Sequence, residues 1–454
     1  MAHSQEVIII GGGIAGIGMA MQLKRLLGHD NFTLHFYSHR FALKHNWTTM
    51  YPGRDELHKC NCDFGILPHC LLNKLCRSLV WDSQRLLWVC AFEDTLSGEN
   101  IVHEEPVVVS AIGTLDRPSI PSIEGASEFE ASALHSARGD KSVQMKDKNI
   151  VVLGNGASAT QFILELVKAV GPKGTVVQLV KSAHWWTMRG NPKSSAWWKV
   201  LMKYVPLAAR FYRVHIVWQL ESVFYSFQMN NNGAQLRQKI RDATYQYIDY
   251  EAPAQYREML RPDYEPGCKR RVNTNTYFAC LHSPQMHLAK ERATKLGPRH
   301  VETEAGVQYP ADVIIYATGS LTQEWLFPME VRGEGGRNIH DVWDAAGRAE
   351  AYKGTVINGF ANFFVLYGPN AATGQHSVIF HSECQINYTC RLLKPVLMGS
   401  AKSIMVKPEA QKKELARVHG KLKGLVYNAG CSSWSMDPVT KKNTLIYPDP
   451  TYKY

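Results

Sequence analysis

Two glycine-rich turns carry the residues of this chain that are best suited to chemistry. Their key positions are Gly11, Gly13 and Gly16 in the first turn and Gly154, Gly156, Ser158 and Ala159 in the second. In such a G-x-G-x-x-G pattern the first glycine permits a tight turn, the second lets backbone approach a pyrophosphate, and the third position allows close packing of helix and strand. The following helix N-terminus offers free N–H groups to phosphates. The chain is therefore predicted to hold two dinucleotide sites.

Each turn needs a strand before it and a helix after it. A β-branched run at 6–10 precedes the first turn, and apolar residues then recur at helical spacing until Gly28. The second turn follows a strand-like run at 149–153, and the helix after it is expected to stop at Gly171. These patterns predict an α/β fold with two Rossmann-like dinucleotide-binding domains.

The domain organisation follows from the positions of the two turns. We expect one dinucleotide domain to comprise residues 1–140 and 311–454, and the other to comprise residues 141–310. Within the second domain, residues from about 185 to 275 are rich in Trp, Tyr, Arg and Gln and poor in glycine, which predicts a helical insertion. The insertion would either cover a substrate or pack as core.

Length, charge and hydropathy exclude several classes of protein. The 454 residues have room for two or three domains, and the formal charge of +11 is spread thinly along the chain. The longest basic cluster is only 269–271, so no nucleic-acid partner is expected. No apolar run approaches the ~20 residues that span a bilayer, so we predict no integral membrane segment and a cytoplasmic location. The oligomeric state is not predicted.

The ten cysteines favour neither metal binding nor disulfide chemistry. Cys60 and Cys62 are spaced C-x-C, which lacks the C-x2-C geometry of a zinc knuckle, so no metal site is predicted. No C-x2-C or C-x4-C redox pair occurs, which disfavours a flavin disulfide reductase. Free thiols in a reducing compartment are the expectation.

The end of the second strand in the mid-chain domain indicates which nucleotide binds there. An NAD site usually has an acidic residue at this place for the ribose 2′-hydroxyl, whereas an NADP site has a cation for the 2′-phosphate. Here Gln178-Leu179-Val180 is followed by Lys181 and Ser182, with no acid near. The sequence therefore predicts NADPH, with Lys181 as the anchor of the 2′-phosphate.

Further motifs make the chain resemble the flavoprotein monooxygenases of the Baeyer–Villiger and flavin-containing group. They are a linker at 110–121, an F-x-G-x-x-x-H-like fingerprint at 129–140 with Phe129, His135 and Asp140 matching, a P-x-G-x-K-R-like segment at 264–271, and the sequences Ala317-Thr318-Gly319, 358–364, 368–370 and 381–385. This resemblance implies FAD at the N-terminal turn and NADPH at the second. It also implies cofactor contacts from Ser38, Trp47, Thr318 and Gly319.

The same resemblance implies the reaction and its residues. By this resemblance, NADPH would reduce FAD and O2 would add to the reduced flavin. The resulting peroxyflavin would then attack an apolar ketone of secondary metabolism to give an ester or lactone. Arg270 matches the arginine that lies near the flavin, where a fixed cation would stabilise a peroxyanion. Asp63 is the preferred partner of this arginine, because Asp55 comes too early. His135 matches a hinge and hydrogen-bonding residue between the domains. Oxidation of a soft heteroatom is the alternative chemistry.

Several departures from the family pattern favour a different hypothesis. Ser38 stands where the family has an acid for the FAD ribose, the flavin loop at 44–47 keeps only Trp47, and the segment after Asp63 is shorter than usual. Serine can bind a hydroxyl but without the strength of a carboxylate. The second hypothesis is therefore a non-catalytic or weakened member that still binds NADPH.

Overall fold

The computed structural model describes residues 6–35, 63–140, 142–188, 190, 193–430 and 433–454. Their strands are β1 Val7–Ile10, β2 Phe32–His35, β3 Cys70–Leu71, β4 Lys74–Asp82, β5 Leu87–Asp94, β6 Asn100–Glu105, β7 Val107–Ser110, β8 Ser132–His135, β9 Asn149–Leu153, β10 Thr175–Leu179, β11 Trp186–Met188, β12 Val272–Thr274, β13 Met286–Ala289, β14 Ala293–Gly297, β15 His300–Thr303, β16 Gln308–Pro310, β17 Val313–Tyr316, β18 Glu330–Arg332 and β19 Phe363–Val365. Their α-helices are α1 Ile14–Leu27, α2 Ala157–Val170, α3 Ala196–Tyr204, α4 Ala208–Ser222, α5 Asn231–Glu251, α6 Arg257–Leu260, α7 Tyr277–Cys280, α8 Ile339–Ala346, α9 Val378–Leu397 and α10 Pro408–Leu422.

The first of two compact units contains the described residues up to Asp116, together with Thr322–Asn428 and Trp434–Tyr454. Its main sheet is parallel, in the order β19-β7-β1-β2-β3. All four residues of β1 are buried, as expected for a parallel strand that has neighbours on both sides. Helices α1 and α9 contribute residues such as Leu23 and Leu393 to the same core. A second sheet, β18-β4-β5-β6, completes the unit.

The second unit contains Arg117–Leu321 and the described part of 429–433. Its main sheet is also fully parallel, in the order β13-β10-β9-β17-β8. The antiparallel strands β14, β15 and β16 form a small sheet beside it. Helices α3 to α6 lie between β11 and β12, so a helical insertion is present where the composition predicted one. Within the described residues, no helix combines the length and apolar character needed to cross a membrane.

The boundaries between the units differ from those predicted from the sequence, which were 140 and 311. Strand β8 pairs with β17, and β17 pairs with β9, so both strands belong to the second sheet. Residues 117–140 and 311–321 therefore join the second unit, where the sequence analysis had placed them in the first. The cause is long-range pairing between strands that are about 180 residues apart, which local sequence patterns do not reveal.

Among the cysteines that the structure describes, Cys268 alone departs from the expected free thiol. Cys76, Cys90, Cys280 and Cys390 are buried thiols. Cys268 is disulfide-bonded, so the expectation of free thiols is wrong for this residue. In the part of the chain that the structure describes, no three His, Cys, Asp or Glu side chains are grouped so as to hold a metal ion.

Candidate cofactor sites and active-site residues

Packing alone accounts for two of the three glycines of the first turn. Gly11 has a φ of +113°, and a Cβ at this position would lie 2.5 Å from the carbonyl oxygen of Ala111. A Cβ at Gly16 would lie 1.9 Å from the carbonyl oxygen of Gly11. Both positions therefore exclude side chains, as the pattern predicts for the tight turn and for the close contact of helix and strand.

Gly13 differs from its two neighbours because packing does not require it. Its φ is −80°, and a Cβ there would have no atom within 4 Å. It is the N-cap of α1, where no side chain caps the free N–H groups and no acidic residue occurs in the first turn. Open space beside uncapped, positively polarised N–H groups fits a phosphate. The residues of this turn therefore fit the pyrophosphate of a dinucleotide.

The second turn repeats this arrangement. Gly154 has a φ of +108°, and a Cβ there would lie 2.7 Å from the carbonyl oxygen of Ala317, whereas a Cβ at Gly156 would have no atom within 4 Å. Gly156 is the N-cap of α2, again without a side-chain cap or an acid in the first turn. Ser158 is exposed in that first turn, and Ala159 is buried. This site also fits a pyrophosphate.

Thr318 and Gly319 lie beside the second turn, in the second unit. The Thr318 hydroxyl donates to the carbonyl of Ser119, and the Ser119 N–H donates to the carbonyl of Gly319 over 2.9 Å. The sequence analysis placed both residues in the domain of the first turn, and this is corrected because β17, which precedes them, is a strand of the second sheet. In the first unit, Ala111 has the position that Ala317 has here.

His135 is buried at the end of β8. Its Nδ1 accepts a hydrogen bond from the N–H of Ala137 over 3.1 Å, so in the neutral ring Nε2 carries the proton. Burial lowers the pKa of His135, and the nearby Gly319 carbonyl opposes this shift. Among the described residues Nε2 has no partner at hydrogen-bonding geometry. His135 is thus a neutral ring whose Nε2–H lies near the Gly319 carbonyl and can donate a hydrogen bond to a ligand.

Lys181 is exposed just after β10, and the structure shows a second lysine, Lys269, in the same region. Lys269 donates to the Ser182 hydroxyl over 3.2 Å, and its ammonium lies 4.5 Å from the centre of the Tyr264 ring. Burial lowers the pKa of Lys269, and the positive charge of Lys181 lowers it further. Two neighbouring cations favour a dianionic group between them. They therefore fit the 2′-phosphate of NADP.

The two lysines are held at one end of the sheet by contacts that the sequence did not reveal. The Asn155 side-chain amide donates to the carbonyl of Ser182 over 3.2 Å, which ties this strand end to the glycine turn. The Tyr264 hydroxyl donates to the carbonyl of Ala183 over 3.1 Å. Lys269 was not predicted from the sequence as a site residue, although it directly precedes Arg270 in the basic cluster at 269–271. Lys269 is 88 residues from Lys181 in the sequence, so their proximity in the structure was not apparent from local patterns.

Arg270 follows Lys269 and is exposed. Strand β12 begins two residues later, and its first residue is held in place because the N–H of Val272 donates to the carbonyl of Trp185 over 2.9 Å. The guanidinium of Arg270 makes no hydrogen bond or ion pair within the described residues, and its cation is therefore available to a ligand.

The remaining predicted site residues lie in the first unit or outside the described residues. Asp63 is exposed at the start of a short helical turn in the first unit. Ser38 and Trp47 lie outside the described residues. The second unit therefore brings together Gly154, Gly156, Lys181, Thr318 and Gly319, while the first unit holds Gly11, Gly13 and Gly16. The role of each of these residues remains a prediction.

Comparison with known proteins relates these sites to a class of enzyme. A Baeyer–Villiger monooxygenase of Pseudomonas aeruginosa is 28% identical over an alignment of 486 residues that covers 100% of this chain and 89% of the relative. The chain is similar to Baeyer–Villiger monooxygenases throughout. A second one, from Streptomyces coelicolor, is 27% identical over 483 residues, covering 99% and 90% of the two chains. No family model matches the chain.

Solved structures share the fold. The crystal structure of OTEMO in complex with FAD and NADP has a TM-score of 0.82 at 18% identity, covering 100% of this chain and 97% of that one. The closed crystal structure of cyclohexanone monooxygenase has a TM-score of 0.81 at 17% identity, covering 100% and 96%. The predicted α/β fold with two dinucleotide-binding domains is confirmed, and the relatives confirm the resemblance that the motifs indicated.

Proposed function

We propose that this chain is an FAD- and NADPH-dependent Baeyer–Villiger monooxygenase that converts an apolar ketone into an ester or lactone. The observation that carries the proposal is the pair of open glycine turns, at Gly13 and Gly156, each at the uncapped N-terminus of a helix. Each unit thus offers its own pyrophosphate site. Two such sites are what an enzyme needs if one dinucleotide reduces another.

The cofactors are assigned to the units by their residues. FAD belongs at the turn of Gly11, Gly13 and Gly16, and NADPH belongs at the second turn, where Lys181 and Lys269 would hold its 2′-phosphate. When bound, FAD supplies the chemistry that passes electrons from NADPH to O2 and one oxygen atom to the ketone. In balance, NADPH, a proton, O2 and the ketone give NADP+, water and the ester.

The chain's own contribution to the reaction centres on Arg270 and His135. Arg270 provides a delocalised positive charge on a planar guanidinium. A cation of this kind stabilises negative charge that develops on oxygen. His135 is neutral, and its Nε2–H can orient a cofactor or a loop by one hydrogen bond. Asp63 is proposed as the carboxylate that accompanies the arginine. A cytoplasmic location remains a prediction from the sequence.

The test is ester formation by the FAD-loaded protein with NADPH, isotopically labelled O2 and a series of cyclic ketones. The product should gain one labelled oxygen atom. Arg270→Ala should lower this rate by about 100-fold or more while leaving NADP+ binding within a few-fold. Arg292→Ala removes another exposed arginine of the same unit and should leave the rate unchanged. A flavin-loaded wild-type protein that yields no oxygenated product, or equal rates in the two variants, would contradict the proposal.

A further inference from the structure

The helical hairpin formed by α3 and α4, residues 196–222, exposes large apolar side chains to water. No residue of α3 is buried, and Glu221 is the one buried residue of α4. Trp197, Phe211 and Trp218 are 69%, 70% and 74% exposed. The aromatic residues of this part of the insertion are therefore not core, which was one of the two roles expected from the sequence. Large exposed apolar surfaces usually mark a binding site.

The exposed residues follow helical spacing. On each helix three of them stand at positions i, i+3 and i+7: Trp197, Val200 and Tyr204 on α3, and Phe211, Val214 and Trp218 on α4. Residues at this spacing share one face of a helix, and in a globular protein that face normally packs against the core. Here the two faces are exposed instead. Val205 and Leu207, in the turn between the helices, are also exposed.

Apart from the buried Glu221, the charged residues of the hairpin are all positive. No Asp or Glu occurs from Leu166 to Leu220. The exposed cations in and before the hairpin are Lys193, Lys199, Lys203, Arg210 and Arg213. Basic side chains beside exposed Trp, Phe and Tyr are typical of helices that lie in the headgroup region of a membrane.

We propose that the α3–α4 hairpin docks on the surface of an anionic lipid bilayer. The two helices have 9 and 15 residues, too short to span a bilayer, so they would lie in its plane. The aromatic stripes would enter the headgroup boundary while the lysines and arginines meet lipid phosphates. A second copy of the chain fits this face less well, because two hairpins would bring their exposed cations against each other. This inference does not rest on the proposed reaction.

The hairpin is held together by contacts that lie apart from the exposed stripes. The Trp198 and Tyr212 rings meet edge to face, with centroids 5.2 Å apart, and so join the two helices. Ser195 caps α3, accepting a hydrogen bond from the N–H of Trp198 over 3.2 Å. Because these contacts do not involve Trp197, Phe211 or Trp218, those three side chains can be changed without removing what folds the hairpin.

The experiment is flotation of the full chain with vesicles of equal parts phosphatidylglycerol and phosphatidylcholine, compared with phosphatidylcholine alone. The wild type should float with the anionic vesicles and less with the neutral ones. In the triple variant Trp197→Ser, Phe211→Ser, Trp218→Ser the partition coefficient for the anionic vesicles should fall by about tenfold or more. The control Tyr250→Ser removes an aromatic residue of α5 that is 83% exposed, and it should bind as the wild type does.

A second variant tests the charges and guards against misfolding of the first. Lys199→Gln with Lys203→Gln keeps every apolar side chain and should weaken binding to anionic vesicles, as should added salt. The proposal would be overturned if the wild-type protein does not float with the anionic vesicles. It would also be overturned if both variants float as well as the wild type does. A wild-type dimer that the triple variant dissociates, without vesicle binding, would show that a second copy covers this face.

Discussion

Replacing Lys269 with Met should convert the second site from an NADP site to one with little preference for the 2′-phosphate. Its ammonium is half-buried, donates to the Ser182 hydroxyl over 3.2 Å and is close enough to Lys181 for that charge to lower its pKa. A hydrogen bond to a charged group contributes about 1.5–3 kcal/mol. Since 1.4 kcal/mol corresponds to tenfold, the dissociation constant of NADP+ should rise about ten- to a hundredfold.

The assay is calorimetric titration of the wild type and the variant with NADP+ and with NAD+. NAD+ lacks the 2′-phosphate, so its affinity should change by less than about threefold. Lys173→Met is a matched control, because Lys173 is exposed just before β10, at the opposite end of that strand. NADP+ affinity of the wild type should also fall as pH rises through the pKa of Lys269, which is lowered. Equal losses for both nucleotides, or none, would refute the two-lysine site.

Three further predictions concern the glycine turn, a buried hydroxyl and an acid-sensitive ring. Gly11→Ala should lower the thermal midpoint because of its φ of +113°, whereas Gly13→Ala should keep the midpoint and reduce the flavin content measured by absorbance. Tyr277→Phe removes a buried hydroxyl that donates to Gln178 over 2.8 Å, and urea unfolding should show a loss of about 1–3 kcal/mol. Burial lowers the pKa of His381 from 6.5 to about 3. Its contribution to stability is therefore present above pH 6.5 and lost as pH falls towards 3. In His381→Leu the thermal midpoint should fall less steeply over this pH range than in the wild type.

A specific result would contradict each of these three predictions. A Gly13→Ala protein that keeps its flavin would remove the pyrophosphate role of that turn. If Tyr277→Phe unfolds at the same urea concentration as the wild type, its hydroxyl adds nothing to the fold. An unchanged acid limb in His381→Leu would mean that other groups set the acid sensitivity.

Local patterns predicted the two strand–turn–helix units well. The strand at 7–10 and the helix at 14–27 follow from a β-branched run, a glycine turn and helical spacing, all within about 25 residues. The helix of the second unit ends at Val170, as Gly171 indicated. In both turns the φ of the first glycine is positive, as the pattern requires. Signals of this kind lie within one stretch of chain and need no knowledge of its neighbours.

The parts that were missed depend on contacts between distant residues. Strands β8 and β17 were assigned to the wrong unit, because each has only four residues and its sheet is decided by pairing. Lys269 is near enough to Lys181 for that charge to lower its pKa, although the two residues are far apart in the sequence. The aromatic residues of α3 and α4 suggested core or a substrate cover, since composition alone does not show which face of a helix meets water.

Whether the two turns hold FAD and NADPH in one electron-transfer enzyme can be decided by a single spectroscopic experiment. The purified protein is loaded with FAD, NADPH is added under nitrogen, and air is then readmitted. We expect a yellow flavin absorption that bleaches with NADPH and returns with oxygen, and a much slower bleaching with NADH. A protein that remains colourless after reconstitution with FAD, or a bound flavin that NADPH does not reduce, would contradict this expectation.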